Sequence, residues 1–114
     1  MEQEAMEVYR KLEETGKSEE IVRGTRLAAN VFFTYLAESE GHREKAADHV
    51  RQAVMALEDM RQVSSEYDSI QNLLQYVEKT GNIELLQEIL DCLEPKAAIE
   101  QNRSLLLQLL LLRL

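Results

Sequence analysis

Absences bound this 114-residue chain before any motif does. It has one proline, four glycines and no tryptophan, and aromatic residues make up 5% of it. Runs of β-branched residues are scarce, so the pattern favours helix throughout. A single cysteine, Cys92, excludes a disulfide within the chain and fits a reducing, intracellular compartment, cytoplasmic or nuclear. No glycine-rich loop follows a strand, so phosphate-cradling motifs are missing and no cofactor is expected. The acidic start, MEQEAMEVYRKLEE, lacks the basic residues and apolar run of a signal peptide. The longest apolar run, Leu105 to Leu114, is about half the length of a membrane span and is interrupted by Gln108 and Arg113. No span is expected. That run reads as a helix buried on most sides, an interface, or the cut edge of a longer protein.

Positive charge is also short. The net charge is -8, with the acidic excess in residues 1–20 and 65–100, while residues 21–64 are neutral and the last fourteen residues hold only Arg103 and Arg113. Without a basic stripe the chain is disfavoured as a nucleic-acid binder, and a basic or apolar protein surface is the expected partner.

What is present is ordinary globular material, 45% hydrophobic and 30% charged, enough for one all-α domain spanning residues 1–114. The organising stretch is Ala28 to Met60, two helices reversed at Gly41. Before the glycine, Ile21, Thr25, Ala28, Phe32, Tyr35 and Leu36 recur at helical spacing and are expected inward. After it, Ala46, Val50, Ala53, Val54, Leu57 and Met60 do the same. Small Ala46, Ala47 and Ala53 are expected opposite Phe32, Phe33 and Tyr35. A first helix is predicted over Glu2 to Glu14, with Ala5, Met6, Tyr9 and Leu12 inward, ended by Gly16. Ser18 caps a second helix running to about Glu40, in which Gly24 suggests either a close helix crossing, the favoured reading, or a local break. The third helix spans Arg43 to Arg61.

Ser65 with Asp68 resembles a capping box for a fourth helix, which carries Tyr67, Ile70, Leu73, Leu74 and Val77 and stops at Gly81. Asn82 is expected to cap a fifth, burying Ile83, Leu86, Ile89, Leu90 and Leu93. Glu94 and Pro95 mark the next boundary, before a sixth helix with Ala98, Ile99 and the leucines.

The breaks at Gly16, Gly41 and Gly81 set out a rhythm of apolar helix, glycine, short gap and apolar helix. With Ala46, Val50 and Ala53 after Gly41, the middle unit resembles a tetratricopeptide repeat (TPR). The breaks lie 25 and 40 residues apart. Two architectures stay open, a five- to six-helix antiparallel array of TPR-like hairpins and an irregular helical bundle. The resemblance implies a non-enzymatic scaffold that binds a partner helix or peptide on the face of the first helix of each pair. In this chain that places Arg23, Arg26, Asn30 and Thr34 at the partner. The leucine-rich end suggests an oligomer interface through Leu107, Leu110, Leu111 and Leu114.

Two alternatives complete the reading. The segment from Arg43 to His49 looks like the R-x4-6-H motif of HEPN domains, which implies a dimeric ribonuclease using Arg43 and His49. An acidic chaperone or immunity protein neutralising a basic partner shares the fold. His42 and His49 stand two helical turns apart, roughly 10 Å, too far for one metal ion, so no metal site is expected.

Overall fold

The computed structural model describes residues 2–14 and 19–113, without the side chains of residues 2, 9, 11–14, 19 and 20. Six α-helices account for nearly all of it: α1 (Glu2–Glu14), α2 (Glu19–Ser39), α3 (Arg43–Asp59), α4 (Tyr67–Thr80), α5 (Ile83–Ile99) and α6 (Arg103–Arg113), with a 3-10 turn over Ser64–Glu66. No strand occurs among the described residues. The chain forms two compact units, Met1–Met60 and Arg61–Leu114.

In the N-terminal unit α2 packs along α3 and, more lightly, against α1. The reversal between α2 and α3 is built by Gly41 in the left-handed region at φ 79°. The Gly41 N–H donates to the Glu38 carbonyl at 3.1 Å and the His42 N–H to the Ala37 carbonyl at 2.8 Å, a Schellman motif that satisfies the last carbonyls of α2. Beyond it, α3 buries Ala46, Val50, Ala53, Val54, Ala56 and Leu57, and Met60 is also buried. All six positions expected inward after Gly41 are buried.

The inward face of α2 is a different one from that expected. Its buried stripe is Gly24, Leu27, Asn30, Val31, Thr34 and Ala37, together with Phe33, whereas Ile21, Phe32 and Tyr35 are exposed and Ala47 of α3 is exposed as well. The physical reason is that small residues let α3 approach α2 closely, while the polar ends of Asn30 and Thr34 are satisfied locally. Asn30 Nδ2 donates to the Arg26 carbonyl at 2.9 Å, and Thr34 Oγ1 to the Asn30 carbonyl at 2.7 Å. Buried polar groups with partners cost little. Gly24 sits buried in an unbroken helix, so no local break occurs at it. Gly16, Ser18 and the side chains of Tyr9 and Leu12 lie outside the described residues, and Met6 of α1 is exposed.

In the C-terminal unit α4 packs against α5 and α5 against α6. Ile70, Leu73, Leu74 and Val77 form the buried stripe of α4, Ile89, Leu90, Leu93 and Ala97 that of α5, and Leu105 and Leu109 that of α6. Asn82 caps α5 as expected, its Oδ1 accepting the Leu85 N–H at 3.1 Å after Gly81 at φ 74°. The expected boundary at Pro95 is not one. Helix α5 continues through Pro95 to Ile99, because Leu93 and Ala97 on either side hold their buried face, and the loss is confined to one backbone donor. The stop falls instead at Gln101, φ 56°, where Asn102 and Gln101 donate to the Ala97 and Ala98 carbonyls at 2.9 and 3.1 Å. Asn102 then caps α6, accepting the Leu105 N–H at 3.1 Å. One corner geometry therefore occurs twice in this unit, at Gly81–Asn82 and at Gln101–Asn102.

The expected capping box is also corrected. Helix α4 starts after the 3-10 turn, with Glu66 at its N-cap and no side-chain cap bond, so Ser65 and Asp68 do not pair across its first turn. The turn is held from elsewhere, by the Glu100 carboxylate, which accepts the Val63 and Ser64 N–H groups at 3.0 and 3.3 Å. Tyr67 and Ile83, expected inward, are exposed, since each lies at the very start of its helix, ahead of the stripe.

Candidate functional site

Of the four residues of α2 expected at a partner, Asn30 and Thr34 are only 4% and 1% exposed. They face inward. Asn30 Oδ1 lies 3.2 Å from His49 Nδ1, a hydrogen bond in the tautomer that puts the proton on that nitrogen. The His49 ring lies 5.2 Å from the Phe33 ring, centroid to centroid. Arg23 and Arg26 are half-buried. The Asn30 side chain thus ties α2 to α3, Thr34 is satisfied within α2, and neither is exposed enough to present a surface to a ligand.

The open surface of α2 is the neighbouring stripe. Thr25, Ala28, Ala29, Phe32 and Phe33 join Ala5 and Val8 of α1 in lining a groove of about 290 Å³. Helical spacing explains it: residues 25, 28, 29 and 32 share one face, and 5 and 8 share another. The alanines make the floor low. Phe32, 48% exposed, stands at its side and meets Phe33 edge-on at 5.7 Å between centroids. Glu4 and Glu7 of α1 are exposed. Burial raises the Tyr35 hydroxyl above the usual phenol range.

A second apolar surface belongs to the C-terminal unit. Asp91, Glu94, Pro95 and Ala98 of α5 and Leu106 and Leu110 of α6 line a groove of about 520 Å³. Beside it α6 presents Leu107, Leu110 and Leu111 at 59%, 58% and 59% exposure. Leu114 lies outside the described residues. At one end of the groove Arg113 bridges two carboxylates, Glu94 through Nε and Asp91 through an Nη2–Oδ1 contact of 2.7 Å. Its guanidinium is held further towards the charged form, by the bond to Glu94 first and Asp91 second. Gln71 of α4 and Gln108 of α6 exchange side-chain amide hydrogen bonds.

Arg43 opens α3 exposed and His49 lies half-buried six residues on, about 120° around the helix. Cys92 is half-buried and not in a disulfide. Among the described residues no group of three or more His, Cys, Asp or Glu side chains is placed to hold a metal ion, and no helix is long and apolar enough to cross a membrane. Sequence reasoning missed the two grooves. Their signal was present in the spacing of Ala5 with Val8 and of Asp91, Glu94, Pro95 and Ala98, which repeat at helical steps without being uniformly apolar. Comparison with family models, curated proteins and solved structures finds no match to this chain.

Proposed function

We propose that the chain is a non-enzymatic protein–protein interaction module, a TPR-like array of antiparallel helix pairs that holds a partner's helix or peptide in the α1–α2 groove. The supporting observation is the half-exposed Phe32 beside a floor of Ala5, Ala28 and Ala29. Small residues admit a partner's large apolar side chain, and an aromatic wall gives it contact area. The net charge of -8 favours a partner whose apolar residues are flanked by lysine or arginine. In this reading Arg23 and Arg26 flank the site, while Asn30 acts by tying α2 to α3 and Thr34 by its bond within α2.

The test is affinity capture from the native source with wild-type chain and a Phe32→Glu variant of unchanged helicity. A stoichiometric partner retained by the wild type and lost by the variant supports the reading. Equal capture by both, or none by either, rejects it. Salt weakens the complex if the negative charge of the chain contributes, and leaves it unchanged if apolar contacts alone hold it.

A further inference from the structure

We infer that the α5–α6 face is the interface of a twofold homodimer, in which α6 of one copy lies antiparallel against α6 of a second. This claim uses none of the α1–α2 groove residues and fails independently of the function proposed above. Three observations converge on a second copy as the occupant.

The first is shape. A twofold interface needs a patch that is complementary to itself, a ridge next to a groove on one surface. Leu107 and Leu111 form such a ridge, and Pro95, Ala98, Leu106 and Leu110 line the groove immediately beside it. With the axis near residue 109, Leu107 of one copy meets Leu111 of the other, and the ridge of each enters the groove of its mate.

The second is charge at the ends. Helix α6 contains no acidic residue and two arginines, one at each end. Arg113 is engaged by Asp91 and Glu94, two carboxylates to one guanidinium, and the Asp91 side chain remains 72% exposed. Arg103 is exposed. Antiparallel pairing brings Arg103 of each copy to the end of the other's α6, where the surplus negative charge sits. Symmetry makes this contact twice.

The third is the charge of the whole. At a net -8 two copies repel over most of their surface. Within the acidic C-terminal unit, the leucine helix is the stretch that carries no negative charge of its own. Its eleven residues make a helix about 16 Å long, a smaller patch than the roughly 800 Å² per partner of a standard interface, so the dimer is expected to be a reversible one.

Sedimentation equilibrium of the full chain, from about 1 to about 200 µM, tests this. The expected result is a reversible monomer–dimer equilibrium. Leu107→Glu with Leu111→Glu abolishes it, and because both leucines are exposed the helicity is retained. Arg103→Glu, which touches no buried group, raises the dissociation constant about tenfold through its two symmetric contacts, and adding Asp91→Lys restores much of the loss. A strict monomer over the whole range, an assembly larger than two, or a dimer indifferent to Leu107→Glu with Leu111→Glu overturns the inference.

Discussion

The two units bury similar kinds of side chain but are tied together differently. In the N-terminal unit the tie is a single long seam between neighbours in sequence, α2 and α3, and its polar contacts, Asn30 with His49 and Thr34 with Asn30, lie inside that hairpin. In the C-terminal unit the ties join residues far apart. Glu100 reaches Val63 and Ser64, Asn102 reaches Ser64 at 3.1 Å, and Gln71 pairs with Gln108. Both units rest on buried apolar stripes and are sensitive to volume there. The clasps add to the second unit polar ties across long sequence separations, and with them a sensitivity to polar substitution.

The largest expected effect follows from the seam. Leu57 is fully buried in α3, and Leu57→Ala removes its transfer free energy and leaves a cavity, a cost of about 3 kcal/mol. Urea unfolding followed by circular dichroism measures it. A loss under about 1 kcal/mol would mean that the seam collapses around the deletion and is less closely packed than described.

The clasp comes next. Glu100→Ala leaves the N–H groups of Val63 and Ser64 without their acceptor, and Val63 is buried, so a cost of about 1 to 2 kcal/mol is expected, with Glu100→Gln costing less because it keeps an acceptor oxygen. Hydrogen exchange locates the change at the start of α4. Unaltered exchange there would erase the distinction between the units.

The corners sharpen the comparison further, since the same left-handed position is filled by Gly41 in one unit and by Gly81 and Gln101 in the other. Gly41→Ala meets no neighbouring atom, so its cost is backbone strain alone, about 1 kcal/mol. Gln101→Gly relieves the strain of a side chain at φ 56° and is expected to stabilise by up to about 1 kcal/mol. Opposite signs in thermal melts confirm a shared corner; equal signs refute it.

The same contrast explains what sequence reveals. Six helices, the Gly41 and Gly81 stops, the Asn82 cap and the inward stripe of α3 all rest on local rules, capping chemistry and helical spacing, and all were legible. The face of α2 was not, because Asn30 and Thr34 look like surface residues until their partners one turn away and across the hairpin are known. Gln101 was invisible for a related reason. A glutamine gives no sign of a left-handed conformation, whereas Pro95 gives a false one. The exposed leucines of α6 were legible as a patch, but their neighbours Asp91, Glu94 and Arg113 come together only once α5 and α6 are folded side by side.

The smallest expected effect concerns Glu66, at the N-cap of α4 beside the Glu100 clasp. Burial pushes its carboxyl above the usual range, and the hydroxyl of Ser69, donating at 3.5 Å, pulls it partly back. In the unfolded chain the group ionises at its ordinary pH; in the folded chain it holds its proton to a higher one. Between those two values the unfolded state has already released the proton, so stability falls as pH rises through the window and is level above it. Glu66→Gln cannot ionise and escapes that loss. The variant should therefore match the wild type in Tm below the window and exceed it above, by a small fraction of a kcal/mol once solvent screening is allowed for. Melts at pH 3 to 8, in steps spanning the carboxylate range near 4.3, test this. A wild type that gains on the variant as pH rises would show the carboxylate to be favourable where it sits, and would place a second acidic clasp, rather than a strained one, at the start of α4.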